Sequence, residues 1–195
     1  KVFLVGMGPG DPGFFTEAAR RAFEESQLLA GAGRMADGLR GFQKPVLREY
    51  QPERILGFLK DHPEYETAAV ALSGDTGFFS GARGLLEVLN RDGGFEVEVI
   101  PGISSAGYFF SRIGAGWEDV CFLSLHGRDA DLEGAVGVHK RVFILCGGSN
   151  ALKEICERLL HAGLSQVRLT VGENLSLANE RISEGTPETM REREV

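Results

Sequence analysis

The chain has 195 residues, of which 43% are hydrophobic, 25% charged and 9% aromatic, and this usage excludes disordered, collagen-like and fibrous classes. Its formal net charge of −7 argues against a general nucleic-acid or anionic-membrane binder. The length admits one domain, or two of about 100 residues each, with a core that needs no staples.

Strand and helix signals alternate along the chain. Residues 2–5 read as a first strand, and residues 16–27 as a helix with Thr16 as N-cap and Glu17 in its first turn. Pro52 opens a helix over residues 53–60, with Ile55, Leu56 and Leu59 on one face. A strand at 68–72, a helix at 82–90 and a strand at 97–100 follow. Further strands are predicted at 120–125, 142–146 and 167–171, with a helix at 149–161 capped by Ser149. Most of these strands are continuous apolar runs of the kind buried on both faces, so the fold class is α/β with a largely parallel core sheet. Pro101-Gly102 ends one strand and Gly114–Trp117 punctuates the helix after it, which puts a soft boundary at 112–118. The predicted domains are 1–113 and 114–195. The tail from Thr186 to Val195 is charged, has no apolar stripe, and reads as frayed or truncated.

The strongest local signal is Val2-Phe3-Leu4-Val5-Gly6-Met7-Gly8-Pro9-Gly10-Asp11-Pro12, a strand running into glycines at alternate positions. Such glycines let the backbone turn sharply beside a ligand at the carboxyl end of a strand. A dinucleotide fingerprint fails on spacing. Its third glycine would be Asp11, and Pro9 removes a backbone donor that a pyrophosphate would use. The second signal is Ser73-Gly74-Asp75-Thr76-Gly77-Phe78-Phe79-Ser80-Gly81, where Asp75 either faces a ligand or caps the following helix. Ile100-Pro101-Gly102-Ile103-Ser104-Ser105, Ser124-Leu125-His126-Gly127-Arg128, Cys146-Gly147-Gly148-Ser149 and Val171-Gly172-Glu173 also follow strands. Gly-rich strand ends on both sides of a division suggest a cleft that grips a small molecule largely by backbone.

Several chemistries lack their residues. There is no P-loop, no G-x-S-x-G elbow, no H-E-x-x-H and no Cys/His cluster, so no metal site is expected. Cys121, Cys146 and Cys156 sit in apolar segments and read as buried, reduced thiols. Nothing resembles a signal peptide and no apolar run approaches ~18 residues, so a cytoplasmic chain without membrane partners is expected. Among the 21 cations 16 are Arg, which suits bidentate capture of carboxylates or phosphates.

In this order and at these intervals, GMGPGDPGFFT, SGDTGFFSG and VEVIPGISS resemble the tetrapyrrole (corrin/porphyrin) methyltransferases. WEDVCFLSLHGRD, CGGSN and VGENLSLANERISEGTPE look like the precorrin C5-methyltransferase branch, which acts on cobalt-precorrin-7 or precorrin-6B-type substrates. The resemblance covers essentially the whole chain. It implies two small α/β domains, usually in a homodimer, with S-adenosylmethionine folded in the cleft between them. Pro9 and Gly10 would close one wall. Gly74, Asp75 and Phe78 would meet the amino-acid and sugar portions, and Ser104 and Ser105 would continue that wall. Cys146, Gly147, Gly172 and Glu173 would meet the adenine from the second domain. His126 is the candidate base, while Arg128, then Arg83 and Arg112, are candidates for the substrate's carboxylates. Arg128→Ala is expected to raise substrate KM far more than cofactor Kd.

Two departures stand out. Thr76 stands where related methylases often have Pro, and one more apolar strand that the family typically has does not follow Val195. With no decarboxylase domain on this chain, C15 methylation and acetate decarboxylation would fall to a separate partner. The rival readings are a same-fold methylase of another ring carbon, a nucleotide-dependent oxidoreductase, and a non-catalytic corrin carrier.

Overall fold

The computed structural model describes residues 1–127, 129–148 and 150–193; Arg128, Ser149 and Val195, all singled out above, lie outside the described residues. Val2 to Val5 put consecutive apolar side chains on opposite faces of β1 (Val2–Gly6), and every residue of that strand is buried. It runs parallel between β4 (Ala68–Leu72) and β5 (Val97–Ile100), with Gly6 level with Leu72. Beyond β4 lie β2 (Leu28–Gly31) and β3 (Val46–Arg48), so the sheet order is β3-β2-β4-β1-β5, parallel throughout.

Phe3 and Val5 pack on one face against Ala19, Ala22 and Phe23 of α1 (Glu17–Glu25). Val2 and Leu4 pack on the other against Ile55 and Leu59 of α3 (Pro52–Asp61) and Leu85 and Leu89 of α4 (Ala82–Asp92). Thr16 caps α1 as expected, its Oγ1 accepting from the Ala19 N–H at 3.1 Å. At the other end of α1, the Lys44 ammonium donates to the carbonyls of Phe23, Glu24 and Ser26, a cation set on the negative end of the helix dipole. A short helix, α2 (Gly33–Gly38), follows β2.

The chain divides into two compact units, Lys1–Tyr108 and Phe109–Val195, which part within α5 (Ser105–Arg112). In the second unit β6 (Cys121–Ser124) and β7 (Val142–Leu145) pair in parallel. One side carries Leu123 and Ile144 with Leu132 of α6 (Leu132–Val138) and Ile155 and Leu159 of α7 (Ala151–His161). Phe122 and Phe143 instead meet each other and Phe110, and Phe122 also meets Trp117, with ring centroids 5.8–6.4 Å apart. β8 (Leu169–Glu173) and β9 (Arg181–Gly185) form an antiparallel pair, followed by α8 (Pro187–Met190).

Three expectations need correction. The tail is not frayed over residues 187–190, because Met190 is 3% exposed against Leu152 and Cys156 of α7. Of the cysteines only Cys156 is buried; Cys121 is half-buried and Cys146 exposed, because β7 gives way there to a glycine turn. β5 is not sealed on both faces, since it is the sheet's edge, and Glu98 there pairs with Lys1 Nζ at 2.8 Å.

Candidate functional site

Because β1 and β4 lie side by side while α1 and α4 pack on opposite faces, the chains leaving their carboxyl ends diverge to the two sides of the sheet. That divergence makes a switch point, where open α/β sheets form their crevices. Three loops meet there, after β1, β4 and β5. The Met7 N–H donates to Leu72 O at 2.8 Å, and Gly8 and Gly74 exchange N–H···O bonds of 3.1 and 2.9 Å. The approach of the backbones is close enough to forbid side chains. A Cβ on Gly6 would stand 2.6 Å from Gly102 N and 2.7 Å from Gly74 O, and one on Gly102 would stand 2.6 Å from Gly6 O.

Asp75 ties this junction together. Its Oδ1 accepts from the Gly77 N–H at 2.8 Å, and its Oδ2 accepts from the Gly102 N–H at 3.0 Å. It therefore does not cap α4, where the Ser80 Oγ accepts from Ala82 N–H at 3.2 Å instead. Gly74 lies beside the next loop, since a Cβ there would stand 3.8 Å from Ser105 N and 4.0 Å from Ser104 Cα. Ser104 caps α5 through its Oγ, which accepts from the Gly107 N–H at 3.0 Å. Asp11 caps the 3-10 turn Pro12–Phe14, accepting from the Gly13 N–H at 2.7 Å. The first unit thus brings Gly74, Asp75, Ser104 and Ser105 together, with Pro9 and Gly10 directly after the Gly8–Gly74 bridge. Phe78 stands in the same loop as Asp75, and its N–H donates to Asp75 O at 3.4 Å.

In the second unit, His126 lies on Gly147. A Cβ at Gly147 would stand 2.7 Å from its Nδ1 and 3.1 Å from its Cε1, so that ring edge lies on the turn and Nε2 on the far side. Cys146 and Gly147, with Leu125, Ala151, Glu154, Ile155 and Arg158, line a depression of about 150 Å³. Gly172 and Glu173 belong to the separate β8–β9 pair. Glu173 is 8% exposed, and its carboxylate accepts from Arg181 Nε and Nη2 at 3.1 and 3.0 Å, with Arg193 Nη2 3.5 Å away.

The two candidate arginines among the described residues, Arg83 and Arg112, have carboxylate partners. Arg83, on the open face of α4 with its side chain 90% exposed, holds Glu87 at 2.9 Å. Arg112 Nε donates to Glu180 Oε1 at 2.8 Å, while Glu180 Oε2 accepts from the Ser176 N–H at 2.6 Å. The first pair is an exposed i,i+4 contact that exchanges readily for another carboxylate; the second ties α5 to the loop between β8 and β9. Sequence reasoning missed the Asp75–Gly102 link and the Glu173–Arg181 fork. The Asp-x-Gly spacing signals the turn onto Gly77, but nothing local signals a bond spanning 27 residues. Among the described residues no three of His, Cys, Asp and Glu gather as metal donors, and no helix is long and apolar enough to cross a membrane.

The family model described as tetrapyrrole (corrin/porphyrin) methylases matches residues 1–190. A probable cobalt-precorrin-7 C(5)-methyltransferase of Methanocaldococcus jannaschii is 29% identical over 195 residues, covering 93% of this chain and 87% of the relative. The cobalt-precorrin-7 C(5)-methyltransferase of Salmonella typhimurium is 28% identical over 180 residues, with 92% and 87% covered. Among solved structures, the uroporphyrin-III C-methyl transferase of Thermus thermophilus complexed with S-adenyl homocysteine superimposes with a TM-score of 0.78 at 22% identity, over 98% of this chain and 86% of that one.

Proposed function

The chain belongs to the tetrapyrrole (corrin/porphyrin) methylases, and from that membership we propose that it transfers the methyl group of S-adenosylmethionine to C5 of a precorrin macrocycle, of the cobalt-precorrin-7 or precorrin-6B/7 type, in cobalamin biosynthesis. The observation that carries this reading is the likeness, along nearly the whole chain, to two cobalt-precorrin-7 C(5)-methyltransferases. The division at 113/114, a homodimer and a cytoplasmic location belong to the same proposal. So does a separate partner for the decarboxylation and C15 methylation.

The junction of the β1, β4 and β5 loops suits such a cofactor. It is a wall of backbone braced by the Asp75 carboxylate, and a side chain at Gly6 or Gly102 would break it. When bound, S-adenosylmethionine supplies a methyl group already activated on a sulfonium. The work left to the protein is to hold that methyl in line with a ring carbon, at about 3–3.5 Å, for which ~7–11 kcal/mol of barrier reduction is available at most. Pro9, Gly10, Gly74, Asp75, Phe78, Ser104 and Ser105 hold the cofactor on the first unit in this proposal, with Cys146, Gly147, Gly172 and Glu173 on the second. Each Asp75 oxygen already accepts one N–H and keeps a second lone pair for a ligand's hydroxyl or ammonium. His126 would accept a macrocycle proton at Nε2, the nitrogen away from Gly147. Arg128, Arg83 and Arg112 meet the substrate's carboxylates, a local role needed on a chain of net charge −7.

Calorimetric titration of S-adenosylhomocysteine, with NADH in parallel, tests the cofactor assignment. Binding of one homocysteine ligand per chain and none of NADH is expected. The reverse result would place the chain among nucleotide-dependent enzymes.

A further inference from the structure

Phe79 is the one bulky apolar residue among the described residues whose backbone is left-handed, with φ of +48°. The other non-glycine residues there are Gln43, Asn174 and Ser176, polar side chains. A ring on the β-carbon makes that conformation costly, and it persists only where the flanking structure enforces it. The enforcement is visible on both sides. Asp75 fixes the turn before Phe79 through the Gly77 and Phe78 N–H groups, and directly after it the Ser80 Oγ accepts from the Ala82 N–H at the start of α4. The strained backbone leaves the phenyl 37% exposed, resting edge-on against Phe78 with centroids 4.8 Å apart. Burial therefore does not explain the strain. The loop sits at the carboxyl end of β4, beside the junction of the three loops, and a polar residue or glycine would hold the same turn at lower cost.

We infer that Phe79 is a specificity-determining residue, an apolar platform for the flat face of the tetrapyrrole substrate. This rests on the function proposed above. A conjugated macrocycle has two apolar faces and a rim of carboxylates, so arginines can capture the rim while the faces need aromatic surface. Phe79 offers that surface at the loop assigned to the cofactor, and its neighbour Phe78 sets the tilt of its ring.

The test compares wild type with Phe79→Gly and Phe79→Trp. Steady-state kinetics on enzymatically prepared cobalt-precorrin-7 give KM and kcat, calorimetry gives the S-adenosylhomocysteine Kd, and a melting curve gives Tm. Phe79→Gly is expected to raise KM by about tenfold or more, leave the homocysteine Kd unchanged, and keep or raise Tm as strain is released. Phe79→Trp restores KM. An unchanged KM in Phe79→Gly overturns the inference, as does a raised KM that comes with weaker homocysteine binding and a lower Tm. A wild-type chain that neither methylates nor binds cobalt-precorrin-7 overturns the proposed function and this inference with it.

Discussion

At the scale of single residues, the site depends on places where atoms are missing. Gly102 has Gly6 O, Gly74 O and the Asp75 carboxylate around it, and there is no flexible side chain to yield. Gly102→Ala is therefore expected to cost about 1–3 kcal/mol in urea unfolding and to weaken S-adenosylhomocysteine binding, because the loops must part to admit the methyl. An alanine variant as stable as wild type would contradict the packing described. Asp75→Asn keeps one acceptor and turns an amide N–H₂ toward the other N–H donor. It should lower stability by about 1–2 kcal/mol and weaken the homocysteine ligand together with it. A calorimetric Kd equal to wild type would separate Asp75 from the cofactor site. The clustering of glycines was legible from their alternation after a strand. The Asp75–Gly102 bond was not, because it joins loops that only the sheet order brings together.

At the scale of elements, α6 and α7 are joined by Arg158, whose Nε and Nη2 each donate to a Glu133 oxygen at 2.7 Å. That fork holds the Glu133 carboxyl at about 2, below its ordinary 4.5, through the hydrogen bonds to the guanidinium first and its charge after. A depressed folded-state pKa contributes stability that is complete above pH 4.5 and is lost as the pH falls toward 2. Glu133→Gln should melt below wild type at neutral pH, and the two melting curves should converge across that window. Curves that stay parallel down to acid pH would deny the fork its role. Long apolar runs made β1, β4, β6 and β7 readable, and the Thr16 cap made α1 readable. β2 and β3 escaped detection because four and three residues carry no period, and β2 lies against the end of α1. β9 reads Arg-Ile-Ser-Glu-Gly, polar enough to pass for loop, and is a strand because β8 gives it a partner along all five residues.

At the scale of the whole molecule, the sequence pattern, the parallel sheet and the matched family agree on a tetrapyrrole methylase. The fold alone does not choose the ring carbon, since a uroporphyrin-III C-methyl transferase superimposes on this chain as well. In the proposed function a negatively charged chain meets a polycarboxylate, a contact assigned to local arginine. Substrate KM should therefore rise with ionic strength while the affinity for S-adenosylhomocysteine changes little. Equal salt dependence of the two would argue against arginine capture of the rim. The most direct measurement is to incubate the protein with cobalt-precorrin-7 and S-adenosylmethionine carrying a ¹³C-labelled methyl, and to locate the label by NMR. A single labelled methyl on C5 is the predicted result. Label on another ring carbon, or an unlabelled macrocycle recovered from protein that binds both ligands, would contradict C5 methyl transfer.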